Sequence, residues 1–211
     1  MAKVTQAHIE ARTSDIVAAA QRVFSQKGFA RATMLEIATE AGLSAGALYR
    51  YFPNKEAIVQ EMSEDNARTR EAIVAQIRHE GGSTLEIMDK LADVFFGHLM
   101  DASCRPACAL EAELFAEAAR NHQLLGPMNR GFNALLEPFT DIIREGQRKG
   151  DIAASLDAEA VARLMIAMHD GLAIQLSAGQ DVDVPAYVHA MKSKLSGMFW
   201  TGRPPSGGNH V

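Results

Sequence analysis

The 211-residue chain is short of several things, and each shortage removes a class of protein. Two cysteines, Cys104 and Cys108, are too few for a disulfide framework. No run of about 18 apolar residues occurs, so no membrane-spanning helix is expected. The opening "MAKVTQAHIEARTSD" has no apolar segment of the kind a secretion signal needs, and a cytoplasmic protein is expected. Strand signals and internal repeats are nearly absent. No Ser/His/Asp set, carboxylate pair or phosphate loop is visible, so an enzyme is not expected.

What is present is helical. The apolar share of 47% supports a real core. The net charge of -5 argues against indiscriminate coating of nucleic acid, yet it is unevenly spread. Residues 1–56 hold seven Lys/Arg against five Asp/Glu, a surplus of two positive charges, which leaves -7 for the remainder. A mildly basic head on an acidic body suggests that the two regions meet different partners.

Periodicity predicts a first helix over 14–26, with Ile16, Ala19, Ala20, Val23 and Phe24 on one face and Gly28 closing it. Thr33 should cap a second helix whose inner residues are Leu35, Ile37 and Ala38. Gly42 then supplies a tight turn, Ser44 caps a third helix and Pro53 ends it. A long charged helix over 54–80 follows, with Glu64 and Arg68 as a supporting pair. Gly81-Gly82 marks a boundary. In "STLEIMDKLADVFFGHLMDA", Leu85, Met88, Ala92, Phe95 and Leu99 form one stripe, and Ile87, Leu91, Val94 and His98 a second. Helices are also expected at 106–119, 121–149, 157–178 and 185–200. The tail 202–211 has no apolar payload and should be disordered.

The segment "TMLEIATEAGLSAGALYRYF" has the mechanics of a helix-turn-helix. Ala38 lets two short helices approach, Gly42 turns the chain, and Leu43 and Leu48 anchor the third helix. In DNA-binding versions that helix enters the major groove N-terminus first. Ala45, Gly46 and Ala47 leave its first turn bare, so backbone and methyls can come close to base edges and thymine methyls. Tyr49, Tyr51, Arg50 and Lys55, with Thr33 and its helix N-terminus, offer groups for phosphate.

"TMLEIATEAGLSAGALYRYFPNKEAIV" resembles the TetR family of transcriptional regulators. Thr33, Ile37-Ala38, Ala41-Gly42-Leu43-Ser44, Leu48-Tyr49, Tyr51-Phe52 and Lys55-Glu56 carry the likeness, with looser echoes in "EGQRKGDI" and "MHDGL". The resemblance implies an all-α fold of about nine helices. A three-helix DNA-binding head would occupy 10–55, with its motif at 33–52. A connecting helix (54–80) and a ligand-binding and dimerisation body (83–201) would follow. It also implies phosphate contacts from Thr33, Tyr49, Tyr51 and Lys55, with Ser44, Ala45, Gly46, Ala47 and Arg50 at the groove. Family members often carry longer polar side chains where this chain has Ala45 and Ala47, so readout should lean on DNA shape.

By the same likeness, the last two helices should pair with those of a second copy. Val161, Leu164, Met165, Met168, Leu172, Leu176, Met191, Leu195, Met198 and Phe199 are the candidates. A small apolar or amphipathic effector would bind in the body and release a palindromic operator. Its candidate lining is Phe95, Phe96, Leu99, Met100, Phe115, Met128, Phe132, Phe139, Met165, Met168 and His169. No cofactor or resident metal is expected. The alternatives are an architectural DNA-binding protein without effector, and a metal or redox sensor using His98, Cys104 and Cys108.

Overall fold

A computed structural model of the chain describes residues 6–199, with side chains described over 7–193. The expected disorder of 202–211 falls outside the described residues. Those residues are all-α: α1 (Gln6–Lys27), α2 (Met34–Glu40), α3 (Ala45–Leu48), α4 (Lys55–Glu80), α5 (Thr84–Gly97), α6 (Arg105–Ala118), α7 (His122–Lys149), α8 (Ala158–Ser177) and α9 (Val184–Phe199). Two 3₁₀ turns, His98–Met100 and Ala102–Cys104, lead from α5 to α6. No helix among the described residues is long and apolar enough to cross a membrane.

Two compact units divide the chain. One takes the residues up to Thr69 together with Ser103–Asn133, the other Arg70–Ala102 together with the chain from Ala134. The first is built on one apolar cluster. Ile16, Phe24, Ile37, Leu48 and Ile58 are at most 1% exposed, and Leu110, Leu114, Leu124 and Met128 of α6 and α7 join them. Phe24 and Phe29 tilt against each other with ring centroids 5.4 Å apart. Fully burying a side chain of this size is worth about 1.5–3 kcal/mol, so this cluster holds the short helices that could not persist alone.

Helix starts follow their caps. Thr33 and Ser83 form full capping boxes with Glu36 and Glu86, while Ser44 and Asp157 each accept from the amide three residues on. Asn54 does the same for α4, accepting from Ala57 N at 2.8 Å. α1 starts eight residues before the predicted Ser14, because the exposed turns of 6–13 hold no breaker.

Several side chains sit elsewhere than expected. Leu35 is 64% exposed. At 3.6 residues per turn it lies about 200° from Ile37, and Met34 takes the inward position instead. α5 presents one broad inner face rather than two stripes: Val94 and His98 are exposed, and Val94 stands beside Asp93 on the solvent strip. Glu64 and Arg68 do not pair with each other. Arg68 meets Glu61 and Asp65, while Glu64 reaches Arg130 of α7 at 3.3 Å. On α8, Val161, Met165, Leu172 and Leu176 are buried within their own subunit, as is Met191 on α9. The side chains of Leu195, Met198 and Phe199 are outside the described set.

The "EGQRKGDI" segment has a packing reason in the second unit. Gln147 Nε2 donates to the carbonyls of Ala153 and Leu156, and Thr84 Oγ1 donates to Asp151 Oδ2 at 2.7 Å. A Cβ at Gly146 would come within 2.7 Å of Thr84 Cγ2 and 2.9 Å of Ile152 Cδ1, both on buried side chains. Gly146→Ala should therefore destabilise by about 1–3 kcal/mol despite alanine's better helix propensity. A melting temperature several degrees lower in calorimetry is the expected result; an unchanged one would contradict the packing described.

Candidate nucleic-acid interface

Thr33, α2, the Gly42 turn and α3 form a compact corner. Thr33 is extended (φ -117°, ψ 152°), and its hydroxyl accepts from Glu36 N while the Glu36 carboxylate accepts from Thr33 N at 3.0 Å. Lys27 and the Thr33 groups hold the Glu36 carboxyl below its usual pKa. Gly42 turns with φ +65°, a region open to glycine at no steric cost. Leu43 N returns to Ala38 O at 2.8 Å, closing the α2–α3 angle.

α3 is short. Ser44 Oγ accepts from Ala47 N at 3.2 Å, and the chain tightens after Leu48 through Tyr51 N and Phe52 N, both donating to Leu48 O. This alternates the side chains. Leu48 and Phe52 enter the core; Tyr49 is 54% exposed and Arg50 is exposed. Ser44 and Gly46 are exposed, Ala45 and Ala47 half-exposed. Tyr51 is half-buried against the apolar cluster, so it is a wedge as well as a carrier of a hydroxyl.

Lys55 is more occupied than its charge suggests. Its Nζ donates to Phe29 O at 2.6 Å and to Ala30 O at 3.3 Å, and lies 4.6 Å from the Phe29 ring centroid. An ammonium has three protons, so one donor remains. The backbone of Phe29 is held at its amide as well, where Phe29 N donates to Glu113 Oε1 of α6 at 2.8 Å. Sequence reasoning missed Glu113, which looks like any exposed helix carboxylate in the chain. Gly28, with φ +80°, leaves the space that the Glu113 carboxylate fills.

Ion pairs sort the remaining cations of this corner. Arg22 is tied to Glu40 at 2.6 Å and Lys27 to Glu36 at 2.5 Å. Arg50 makes no ion pair among the described residues. Arg31, exposed and two residues before Thr33, donates its Nε to Lys27 O at 2.8 Å. Arg31 is a second group that sequence reasoning did not single out.

The second unit holds a partly open cavity with about 60 Å³ of free space, several times the need of one water. Of the candidate lining residues, Phe95, Phe96, Met165 and His169 line it, with Phe139. Leu99 is buried elsewhere in the same unit, and Met168 is half-buried outside the lining. Met100 is 62% exposed. Met128 belongs to the core of the first unit, where Phe115 and Phe132 meet edge to face at 6.5 Å. Sequence reasoning missed Asp89 and Lys192, which bring charge to an otherwise apolar wall. Cys104 and Cys108 are half-buried at the start of α6, and among the described residues no three His, Cys, Asp or Glu side chains gather as a metal site.

Residues 16–62 match the family described as bacterial regulatory proteins, tetR family, and residues 89–199 match the BetI-type transcriptional repressor C-terminal family. The chain is similar to the HTH-type transcriptional regulator UidR of Escherichia coli K12, at 24% identity over 87% of this chain and 91% of that one. It is similar to the HTH-type transcriptional regulator TtgR of Pseudomonas putida, at 28% identity over 82% and 83%. Its fold is that of the transcriptional regulator FadR of Bacillus subtilis, solved in complex with stearoyl-CoA. The TM-score there is 0.73 at 24% identity, covering 90% of this chain and 99% of that one.

Replacing Lys55 by Met keeps the stem over Phe29 but removes both carbonyl contacts. A loss of about 1–3 kcal/mol is expected in urea unfolding without DNA. Unaltered stability would mean that Lys55 is not needed to hold the loop.

Proposed function

We propose that this chain, which belongs to the tetR family of bacterial regulatory proteins and is a DNA-binding transcriptional regulator, represses by binding a palindromic operator as a homodimer, and that a small effector in the cavity of the second unit releases it. The observation that carries the reading is the exposed edge formed by Thr33, Ser44, Tyr49 and Arg50 around a first turn without bulk. Thr33, Tyr49, Tyr51 and the third proton of Lys55 take phosphates in this reading, and Arg31 joins them. Ser44, Ala45, Gly46, Ala47 and Arg50 face the groove.

One such head reads few bases, and a twofold partner doubles the site. α8 supports the pairing through a stripe in which Leu164 is the one expected residue. Ala160, Leu164, Ala167, Gly171 and Ile174 follow one another at spacings of four and three, and Leu164 and Ile174 are 44% and 52% exposed. Such a stripe suits close packing against a second helix. Its small residues let the backbones approach, and its two large ones gain burial. Effector release needs only that the ligand prefer the form that does not bind DNA.

A mobility-shift assay on the DNA upstream of the protein's own gene should show a specific complex. Its absence even at low salt would overturn the reading. Tyr49→Phe should weaken binding across sequences by several-fold, through loss of one phosphate hydrogen bond. Lys55→Ala should lower the salt slope by about one, and an unchanged slope removes Lys55 from the interface. Leu164→Asp should convert a dimer to a monomer in light scattering; a wild-type monomer at micromolar concentration would rule out the homodimer.

A further inference from the structure

We propose that the cavity in the second unit selects an uncharged, largely apolar molecule carrying one hydroxyl donor, which His169 accepts at Nε2. The inference rests on the reading of this cavity as the effector site, and it names the ligand's chemistry.

The wall supplies the first half of the argument. Phe95, Phe96, Phe139, Met165, Ile166 and Met191 surround the space, so most of any ligand must be apolar. The second half comes from the lining groups that are not apolar: His169, Asp89 and Lys192.

His169 is fixed on three sides. Its Nδ1 lies 3.0 Å from Asp170 Oδ1, its ring meets Phe96 edge to face at 5.5 Å, and the His98 ring stands 5.4 Å away. A carboxylate can only accept, so Nδ1 carries the hydrogen, and whenever an imidazole so held is neutral its Nε2 keeps a lone pair. That Nε2 is buried and has no hydrogen-bond partner. A buried acceptor without a donor is the exception in folded proteins, and at the wall of a cavity a bound molecule can supply the donor. The required complement is a donor: a hydroxyl, not a carboxylate or an ether.

Charge closes the alternatives. Lys192 Nζ lies 2.7 Å from Asp93 and 3.4 Å from Asp89. Partial burial opposes its charge, but the hydrogen bond to Asp93 and both carboxylates outweigh this and keep it an ammonium. Lys192 and Asp89 therefore both line the cavity as charges already paired with each other. A ligand anion meets Asp89; a ligand cation meets Lys192. Neither gains a vacant counter-charge, and either must give up its own hydration.

The test uses the full-length protein at pH 8, where an ordinary imidazole is neutral. Octan-1-ol, octanoate and octylammonium share a chain and differ in the head group. Titration calorimetry should show octanol binding at least about tenfold more tightly than either ion. His169→Leu should lose about tenfold for octanol, and His169→Gln, which retains a carbonyl acceptor, should recover part of it. Asp170→Asn, a surface change that leaves the ring in place, should weaken octanol by freeing the tautomer, and it decides the matter if His169→Leu does not fold. Equal or tighter binding of either ion, no binding of octanol, or indifference of octanol to all three variants would overturn the inference. Operator binding by the same preparations is scored separately. A protein that shifts DNA but lacks these preferences loses the ligand inference alone, while one that has the preferences without shifting DNA loses the regulator reading alone.

Discussion

The backbone of one residue, Phe29, sets the geometry of the first unit. Its carbonyl accepts from Lys55 at the start of α4, and its amide donates to Glu113 in the middle of α6. The loop between α1 and α2 is thereby tied to two helices that are far away in sequence. Both contacts involve a charged group, which makes them stronger than ordinary amide bonds. The Phe24–Phe29 pair and the Lys55 ammonium over the Phe29 ring fix the side chain of the same residue. With that loop fixed, Thr33 starts α2 in one place, and the Ala38–Leu43 bond then sets α3.

Much of this was legible in the sequence because it depends on local chemistry. Caps at Thr33, Ser44, Ser83 and Asp157 are choices of residue type, and so is the turn at Gly42. Apolar spacing located α6 through α9 to within a residue or two. What escaped depends on which residue happens to stand opposite. Lys55 reads as a loose cation until the carbonyls of Phe29 and Ala30 are seen beneath it. Glu64 and Arg68 have the spacing of a pair, yet each finds a better partner in Arg130, Glu61 or Asp65.

The cavity shows the same limit. Aromatic and methionine residues at helical spacing do not declare whether they meet a neighbour or a void, and only part of the candidate list converged on one space. Met128 obeys the same periodicity as Phe95 and Phe96 but serves the core of the first unit, and Phe115 and Phe132 pair with each other there. Asp89 and Lys192, by contrast, carry charge that a sequence reading assigns to solvent. Their place beside Phe95 and Met191 follows from how α5 and α9 pack, which periodicity cannot reveal.

The first turn of α3 contributes little to holding its own corner together. Ala45 and Ala47 are half-exposed methyls, and a Cβ built at Gly46 meets nothing within 4 Å. Stability resides in Leu48, Phe52 and the caps, so these three positions are free of the constraints that govern their neighbours. A lineage can exchange them one at a time without passing through an unfolded intermediate. With these positions at the groove, as proposed, target choice can drift while the scaffold stays put, which gives a cell that duplicates such a gene a short path to a second, independently addressed switch.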